Sequence, residues 1–522
     1  MADNFDIIII GSGAGGATLA QRLAPTGKKI LILERGEHLP REAENWDSKT
    51  VFIDKKYNTK EHWYDRKGKP FVPATHYWVG GNTTFYGAAL MRLREGDFER
   101  SQHKGGVSPE WPIKLKDMAP YYDEAEKLWR VHGARGVDPT ETGNEPPYAY
   151  PAVKDDPGIA RLRSHLELQG WKPFSLPLGV NLDQDHPVTS ACIKCKTCGG
   201  YPCLVKAKSD ARTLAIEPIL NLPNVTLLTG RKVLKLLTDG PGTSVTEVIC
   251  ETEHGEERWS GDIVALAAGA VNTAVILQAS AGGAHPNGLA NGSDQVGRNY
   301  AFHTLTAMVS LTAAPVDTVF PKTLAVNDFY WKDPNGGFDF PMGHIQMLEY
   351  MSGKTLEGQV SDWLPPIFAP HHIMDAMAHR MLSMLVISED LPTPDNRVRL
   401  GQDGRINLEY THNNLEGHER LVKALDSALE GFVDHSHPIS QHHFDLSSLL
   451  PLYGTAHQVG TTRFGHDPKT SVLDINCKAH EVDNLYVVDS SFFVTSAAVN
   501  PTLTIVANAM RVGDHLKERL GA

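Results

Sequence analysis

The sequence predicts an α/β protein, with a Rossmann-like parallel sheet assembled from discontinuous segments and joined to an α+β region built on an antiparallel sheet. Three observations carry this. An apolar run ends in a glycine-rich turn near the N-terminus, two similar strand patterns recur far downstream at Ile263 to Leu266 and Asn484 to Val488, and an Asp-Gly turn joins two alternating segments at 397–410.

Taken in order, Asp6 to Ile10 is continuously apolar after its first residue, as a strand buried on both faces must be. Gly11-Ser-Gly13-Ala-Gly-Gly16 follows, then a helix over about Ala17 to Leu23 and a second strand, Ile30 to Leu33, closed by Glu34. Ile263 to Leu266 runs into Ala267-Ala-Gly269 and a helical stretch, Thr273 to Ala279, which repeats the strand, small-residue turn, helix logic. Asn484 to Val488, ending at Asp489, is a third such strand. Between them, Met118 to Val131 has helical spacing, and Arg397–Leu400 with Ile406–Tyr410 reads as a hairpin closed by Asp403-Gly404. These segments divide the chain into a nucleotide-binding domain from 1–100, 205–300 and 465–522, and a substrate domain from 101–204 and 301–464.

Composition bounds the function. With 50 basic and 62 acidic residues the net charge is −12, which argues against nucleic acid as the partner. Six cysteines in 522 residues do not make a disulfide scaffold. The acidic start, Met1-Ala-Asp-Asn-Phe-Asp, lacks a basic n-region, and the long uncharged stretch Ser490 to Met510 carries Ser, Thr, Asn and Pro throughout, so it reads as buried around a ligand rather than as a membrane span. A soluble, cytoplasmic protein is expected.

The glycine run has the spacing of a dinucleotide site. Gly11 permits the tight turn, Gly13 lets a pyrophosphate approach the backbone, Ala14 opens the helix, Gly16 allows close helix packing, and Glu34, followed by Arg35, can accept from a ribose hydroxyl. This motif does not separate NAD from FAD.

The rest of the chain resembles the glucose-methanol-choline (GMC) oxidoreductases, FAD-dependent alcohol oxidases and dehydrogenases, from the first strand to the last helix. Val79-Gly80-Gly81-Asn82-Thr-Thr84 with Phe85-Tyr-Gly87-Ala88 is similar to the family's segment lying against the flavin. Ala268-Gly269-Ala270 with Gln278-Ala-Ser280 resembles its second signature, and Val296-Gly-Arg-Asn299 the stretch that re-enters the substrate domain. His457-Gln-Val-Gly460-Thr461 and Asn500-Pro-Thr502-Leu503-Thr504 are similar to its catalytic end. Trp111-Pro112, Tyr121-Tyr122-Asp123 and an asparagine in place of a second histidine look most like pyranose oxidases and bacterial glycoside oxidases. The resemblance implies an FAD domain of the glutathione-reductase type, contact of Asp489 and Ser490 with the flavin's ribityl or pyrophosphate region, backbone N–H groups of Thr502 and Leu503 at its pyrimidine oxygen, and a strand through Val233 that meets adenine. Phe85 stands where some relatives carry a histidine bonded to the flavin, so FAD is expected to be held non-covalently.

The chemistry itself demands a base. Hydride transfer from an alcohol carbon to flavin N5 leaves an oxocarbenium-like centre unless the hydroxyl proton also departs, and histidine, with an ordinary pKa of about 6.5, suits that task. His457 is the expected base. Asn500, offering both donor and acceptor, orients the hydroxyl. The expected reaction is oxidation of a secondary hydroxyl of a sugar or glycoside to a ketone, with oxygen, a quinone or a redox partner as electron acceptor. Two rivals stand beside it: the large subunit of an electron-transferring sugar or polyol dehydrogenase, and a flavin-binding protein without turnover.

Cys192, Cys195, Cys198 and Cys203 form C-x2-C-x2-C-x4-C, a run that iron–sulfur clusters and structural zinc both use, and that local disulfides or free thiols also fit. His371-His372, His435-x-His437 and His442-His443 lack a helical ligand frame and read as surface or substrate-domain histidines. His76 and His303 lie near the flavin-adjacent segments.

Overall fold

A computed structural model describes residues 4–312, 315–316, 318–355, 371–430, 432, 448–454 and 456–522. The strands expected from apolar runs all enter one sheet. Its parallel part runs Val225–Leu228, Ile30–Leu33, Asn4–Ile10, Gly255–Leu266 and Leu485–Val487. Ile7 to Ile9 and Ile30 to Ile32 have no exposed surface, because helices and loops cover both faces. The helices Ala14–Leu23 and Thr502–Leu520 pack together on this sheet.

Two elements differ from the sequence reading. Gly255–Leu266 is longer than the apolar pattern of 263–266, because its polar first half is zipped antiparallel to Val245–Thr252, itself paired with Lys232–Thr238. The helix expected over 118–131 spans Leu115–Leu128: Asp117 accepts the Lys114 N–H at 2.9 Å and starts it early, and Val131–Gly133 leaves it as a short strand.

The second sheet has six antiparallel strands, in the order Ser448–Leu449, Thr304–Leu311, Met381–Ser388, His344–Met347, Leu324–Val326 and Phe174–Ser175. Its faces alternate with period two. Met308, Met384 and Ile345 pack under the helices Pro157–Leu168 and Leu415–Glu430, whose Leu162, Leu166, Leu421 and Leu425 complete that core. Ala307, Leu385 and Gln346, partners in register across three strands, face the other way, into a cavity shared with the parallel sheet. The hairpin Arg397–Leu400 and Ile406–Glu409 forms as expected, and its second strand also pairs with Trp63–Asp65. Among the described residues no helix is long and apolar enough to cross a membrane.

Candidate active site

One cavity of about 960 Å³ reaches from the end of Ile30–Leu33 to the second sheet. The turn after the first strand forms its floor at one end. Gly11 has φ +103°, and a side chain there would meet the Ala267 carbonyl oxygen at 2.4 Å. Gly13 differs: a Cβ on it would meet nothing within 4 Å, so its backbone faces open space at the start of the helix Ala14–Leu23. Gly16 is packed beneath the turn, away from the cavity. Glu34 ties the turn to the second strand, accepting from Ser12 N at 3.0 Å, Ser12 Oγ at 2.6 Å and Gly36 N at 2.8 Å. Burial pushes its carboxyl pKa up, while those donors pull it down. Arg35 lies over the Tyr77 ring, 3.6 Å from its centroid, and pairs with Glu61.

Most residues singled out in the sequence line this cavity: Gly11, Gly13, Ala14, Glu34, Arg35, Gly81, Asn82, Gly87, Ala88, Val233, Ala268, Gly269, Asp489, Ser490, Thr502, His457 and Asn500. Gly80 does not; it turns at φ +97° and donates its N–H to Ser12 Oγ. The Leu503 side chain is in the core. Asp489 is a knot between three elements, accepting from Gly269 N and Thr273 Oγ at the start of the helix Ala270–Ala279 and from Ser491 N and Oγ beyond the last strand. Burial raises its pKa.

At the opposite end His457 lines the cavity and faces His303, which is fully buried. Their Nδ1 atoms are 3.1 Å apart, and His303 Nε2 lies 2.8 Å from the Ser496 carbonyl oxygen. Burial lowers the pKa of His457 to about 4 and, with help from its neighbour, that of His303 to about 3, so both rings are neutral near pH 7. One chain of donors then fits. His303 spends its single N–H on Ser496, its Nδ1 lone pair accepts from His457 Nδ1–H, and His457 Nε2 is left with a lone pair on the opposite edge of the ring. His303, at φ +74°, and Ala497, at +52°, hold left-handed backbone on either side of this clamp. Asp390 braces it by accepting the Phe302 N–H and donating its own N–H to Ser496 Oγ. Asn500 is 8% exposed and its Oδ1 is buried with no protein partner, an acceptor held for something absent from the chain itself.

The cysteine run makes no metal site among the described residues. All six cysteines are free thiols, none of Cys192, Cys195, Cys198 and Cys203 lines the cavity, and among the described residues no three His, Cys, Asp or Glu side chains are placed to hold a metal. Nothing in the structure therefore supports the iron–sulfur and zinc readings. Cys203 accepts from Ala207 N and Cys195 from Thr197 Oγ1, while burial pushes the Cys192 thiol up to about 11. His435, His437, His442 and His443 lie outside the described residues, and so does the side chain of His371.

Residues 5–305 and 392–509 match the two regions of GMC oxidoreductase. The chain belongs to that family. It is an oxidoreductase of the CH–OH group, and the family binds FAD. Among characterised relatives, it is 30% identical over 99% of its length to 6'''-hydroxyparomomycin C oxidase of Streptomyces lividus, covering 92% of that protein. It is likewise 30% identical over 97% of its length to paromamine 6'-oxidase of Streptomyces fradiae, covering 90%. The crystal structure of pyridoxine 4-oxidase from Mesorbium loti shares the fold with a TM-score of 0.67 at 18% identity, over 99% of both chains.

The residues present fit FAD. Open space at Gly13 stands at a helix N-terminus where a pyrophosphate is stabilised, and the cavity runs on past Ala88 and Thr502 to Asn500, whose Oδ1 is buried without a partner. Sequence reasoning underrated His303 and missed Asp390 and Ser496, whose contacts join points 106 to 193 residues apart with no local motif.

Proposed function

We propose that this protein oxidises a carbinol of a sugar or glycoside, with FAD held non-covalently by the segments 1–100, 205–300 and 465–522 and the substrate by 101–204 and 301–464. Gly11, Gly13 and Gly16 shape the pyrophosphate site, Glu34 takes a ribose hydroxyl on its remaining lone pair, Val233 meets adenine, and the first N–H groups of Thr502–Leu520 serve the flavin's pyrimidine oxygen. Bound FAD supplies the hydride acceptor.

The chain's own groups do the rest. His457 Nε2 takes the hydroxyl proton as the carbon gives up its hydride, and Asn500 fixes the hydroxyl so that its oxygen faces that lone pair. His303 keeps His457 in the tautomer that can accept. The observation that carries this reading is the His303–His457 contact, because it leaves an imidazole lone pair on a ring of the cavity that Asn500 also lines.

Oxidation of a secondary hydroxyl gives a ketone. The relatives are named as oxidases of amino-sugar compounds, paromamine at its 6' position, and this supports a second reading in which an exocyclic sugar carbinol gives an aldehyde. Anaerobic mixing of the FAD-loaded protein with D-glucose, D-galactose, D-glucosamine and their methyl glycosides tests both. Loss of flavin absorbance is expected with at least one, and product analysis distinguishes ketone from aldehyde; a flavin left oxidised by all of them would contradict the proposal.

A further inference from the structure

Beyond the two fingerprints, the substrate end of the cavity contains a charged pair in a wall that, Gln346 apart, is largely apolar. Leu305, Ala307, Leu385 and Leu450 line that wall, and Lys322 and Glu349 interrupt it. Lys322 is 3% exposed. Its ammonium donates to the Gly87 carbonyl oxygen, and the Cys198 and Glu349 groups lie near enough to favour its charged form, Glu349 without a hydrogen bond to it. Glu349 receives no hydrogen bond from the protein among the described residues, although its carboxyl rests on Gly199: a Cβ there would meet Oε1 and Oε2 at 2.3 Å. Glu349 is half-buried, faces the cavity and has no protein donor among the described residues, so its oxygens are open to a hydroxyl that enters the cavity.

Gly87 sets the spacing. A Cβ built on it would stand 3.8 Å from Glu349 Oε2 and 4.0 Å from Lys322 Nζ. Both charged groups therefore lie within 4.0 Å of one point beside Gly87, where a small polar atom can come within reach of each. A hydrogen bond of about 2.8 Å to each is the required reach. An ammonium group would satisfy Glu349 but meet Lys322, a like charge; a methylene would leave Glu349 without a donor. A hydroxyl satisfies both, accepting from Lys322 and donating to Glu349.

We propose that Lys322 and Glu349 form a clamp over Gly87 for a second, neutral hydroxyl of the substrate, so that the protein selects a polyhydroxylated sugar bearing a free hydroxyl, not an amine, near the carbinol it oxidises. This rests on the proposed sugar oxidation and adds a selection rule to it, one that separates this chain's preference from the amino-sugar names of its relatives. The clamp is a binding device: it holds the substrate, and His457 retains the proton transfer.

The test uses FAD-loaded protein, the sugar of the panel above that reduces the flavin fastest, and that sugar's monodeoxy and monoamino analogues. One analogue of each kind is expected to raise KM by about tenfold or more, the loss of one charge-assisted hydrogen bond. Glu349→Gln and Lys322→Met are each expected to raise KM for the parent sugar by a similar factor, with a smaller change in kcat, and to erase the discrimination against the deoxy analogue. Gly87→Ala provides a probe that does not remove either charge. Its methyl sits at ordinary van der Waals distance from both groups, and KM is expected to rise when wild type and variant are compared at equal FAD occupancy, since Gly87 lies on the segment expected against the flavin. Wild-type turnover with unchanged KM and unchanged deoxy and amino discrimination in all three variants would overturn the clamp alone. Faster turnover of the amino analogue than of the parent sugar would also overturn it. No flavin reduction by any sugar would overturn the oxidation reading, and the clamp with it.

Discussion

His457 is the residue on which the account turns, and its environment sets a pH signature. An exposed imidazole titrates near 6.5, whereas burial holds this one at about 4. The base form is therefore present through neutrality and is lost only as the pH falls through that value. The rate of flavin reduction is expected to stay level between about pH 6 and 8 and to fall with an acid limb well below 6. A limb centred at 6.5 would place His457 in water, unlike the buried ring described above. The two residues proposed for catalysis stand out in the sequence because each sits in a linear motif, His-Gln-Val-Gly-Thr and Asn-Pro-Thr. Their supports do not. His303 is 154 positions from His457, and it lies on the re-entry stretch with nothing beside it that marks a ring contact. Lys322 and Glu349 look like ordinary surface charges in one dimension; only the fold turns one into a buried cation and brings both over the same glycine.

At the scale of elements, Asp489 joins the last parallel strand to the start of Ala270–Ala279. Its four hydrogen bonds satisfy the Gly269 N–H at a helix N-terminus and the Ser491 N–H beyond the strand. Asp489→Ala is expected to lower unfolding free energy by about 2 to 4 kcal/mol, because it strands several buried donors at once, and to weaken FAD retention. Urea unfolding with a flavin-release assay measures both; a loss below about 0.5 kcal/mol would show that the knot is dispensable. The parallel strands were legible because burial on both faces writes itself as an uninterrupted apolar run, as in Ile7 to Ile10 and Ile30 to Leu33. The first half of Gly255–Leu266 was not. Its Glu256, Glu257 and Arg258 carry no apolar signal, and a paired neighbour, Val245–Thr252, makes the strand. The helix at Leu115–Leu128 shows the same limit at a boundary, where a capping carboxylate outweighed the apolar spacing.

Across the whole molecule, buried titratable groups couple stability to pH. His76, His344, His418 and His457 are held at about 4 and His303 at about 3. Below 6.5 the unfolded chain binds protons at these rings and the folded chain does not, so stability is lost as the pH falls from 6.5 toward 4. Asp97 and Asp390, both pushed up to about 7 by burial, act the other way, since the folded state holds their protons over the same range. Burial also raises Glu34, Asp210, Asp328 and Asp489 and lowers His132, His412 and His515, so eight rings stand against six carboxyls. Each net proton is worth about 1.4 kcal/mol per pH unit, so the urea midpoint of the FAD-loaded protein is expected to be lower at pH 5 than at pH 7. A midpoint that rises on acidification would contradict the burial assigned to these histidines. The overall architecture was readable from three strand patterns and one hairpin, whereas the cysteine run was not decisive, because its spacing is compatible with a metal centre and also with the free thiols the fold contains.

The most direct test of the central claim is the single-turnover rate at which an oxidisable sugar bleaches the flavin under anaerobic conditions, compared between wild type and His457→Ala at equal FAD occupancy. With the base removed, the rate is expected to fall by about a hundredfold to ten-thousandfold while the flavin stays bound. Bleaching at the wild-type rate in the variant would show that the proton leaves by another route, and the assignment of His457 would fail.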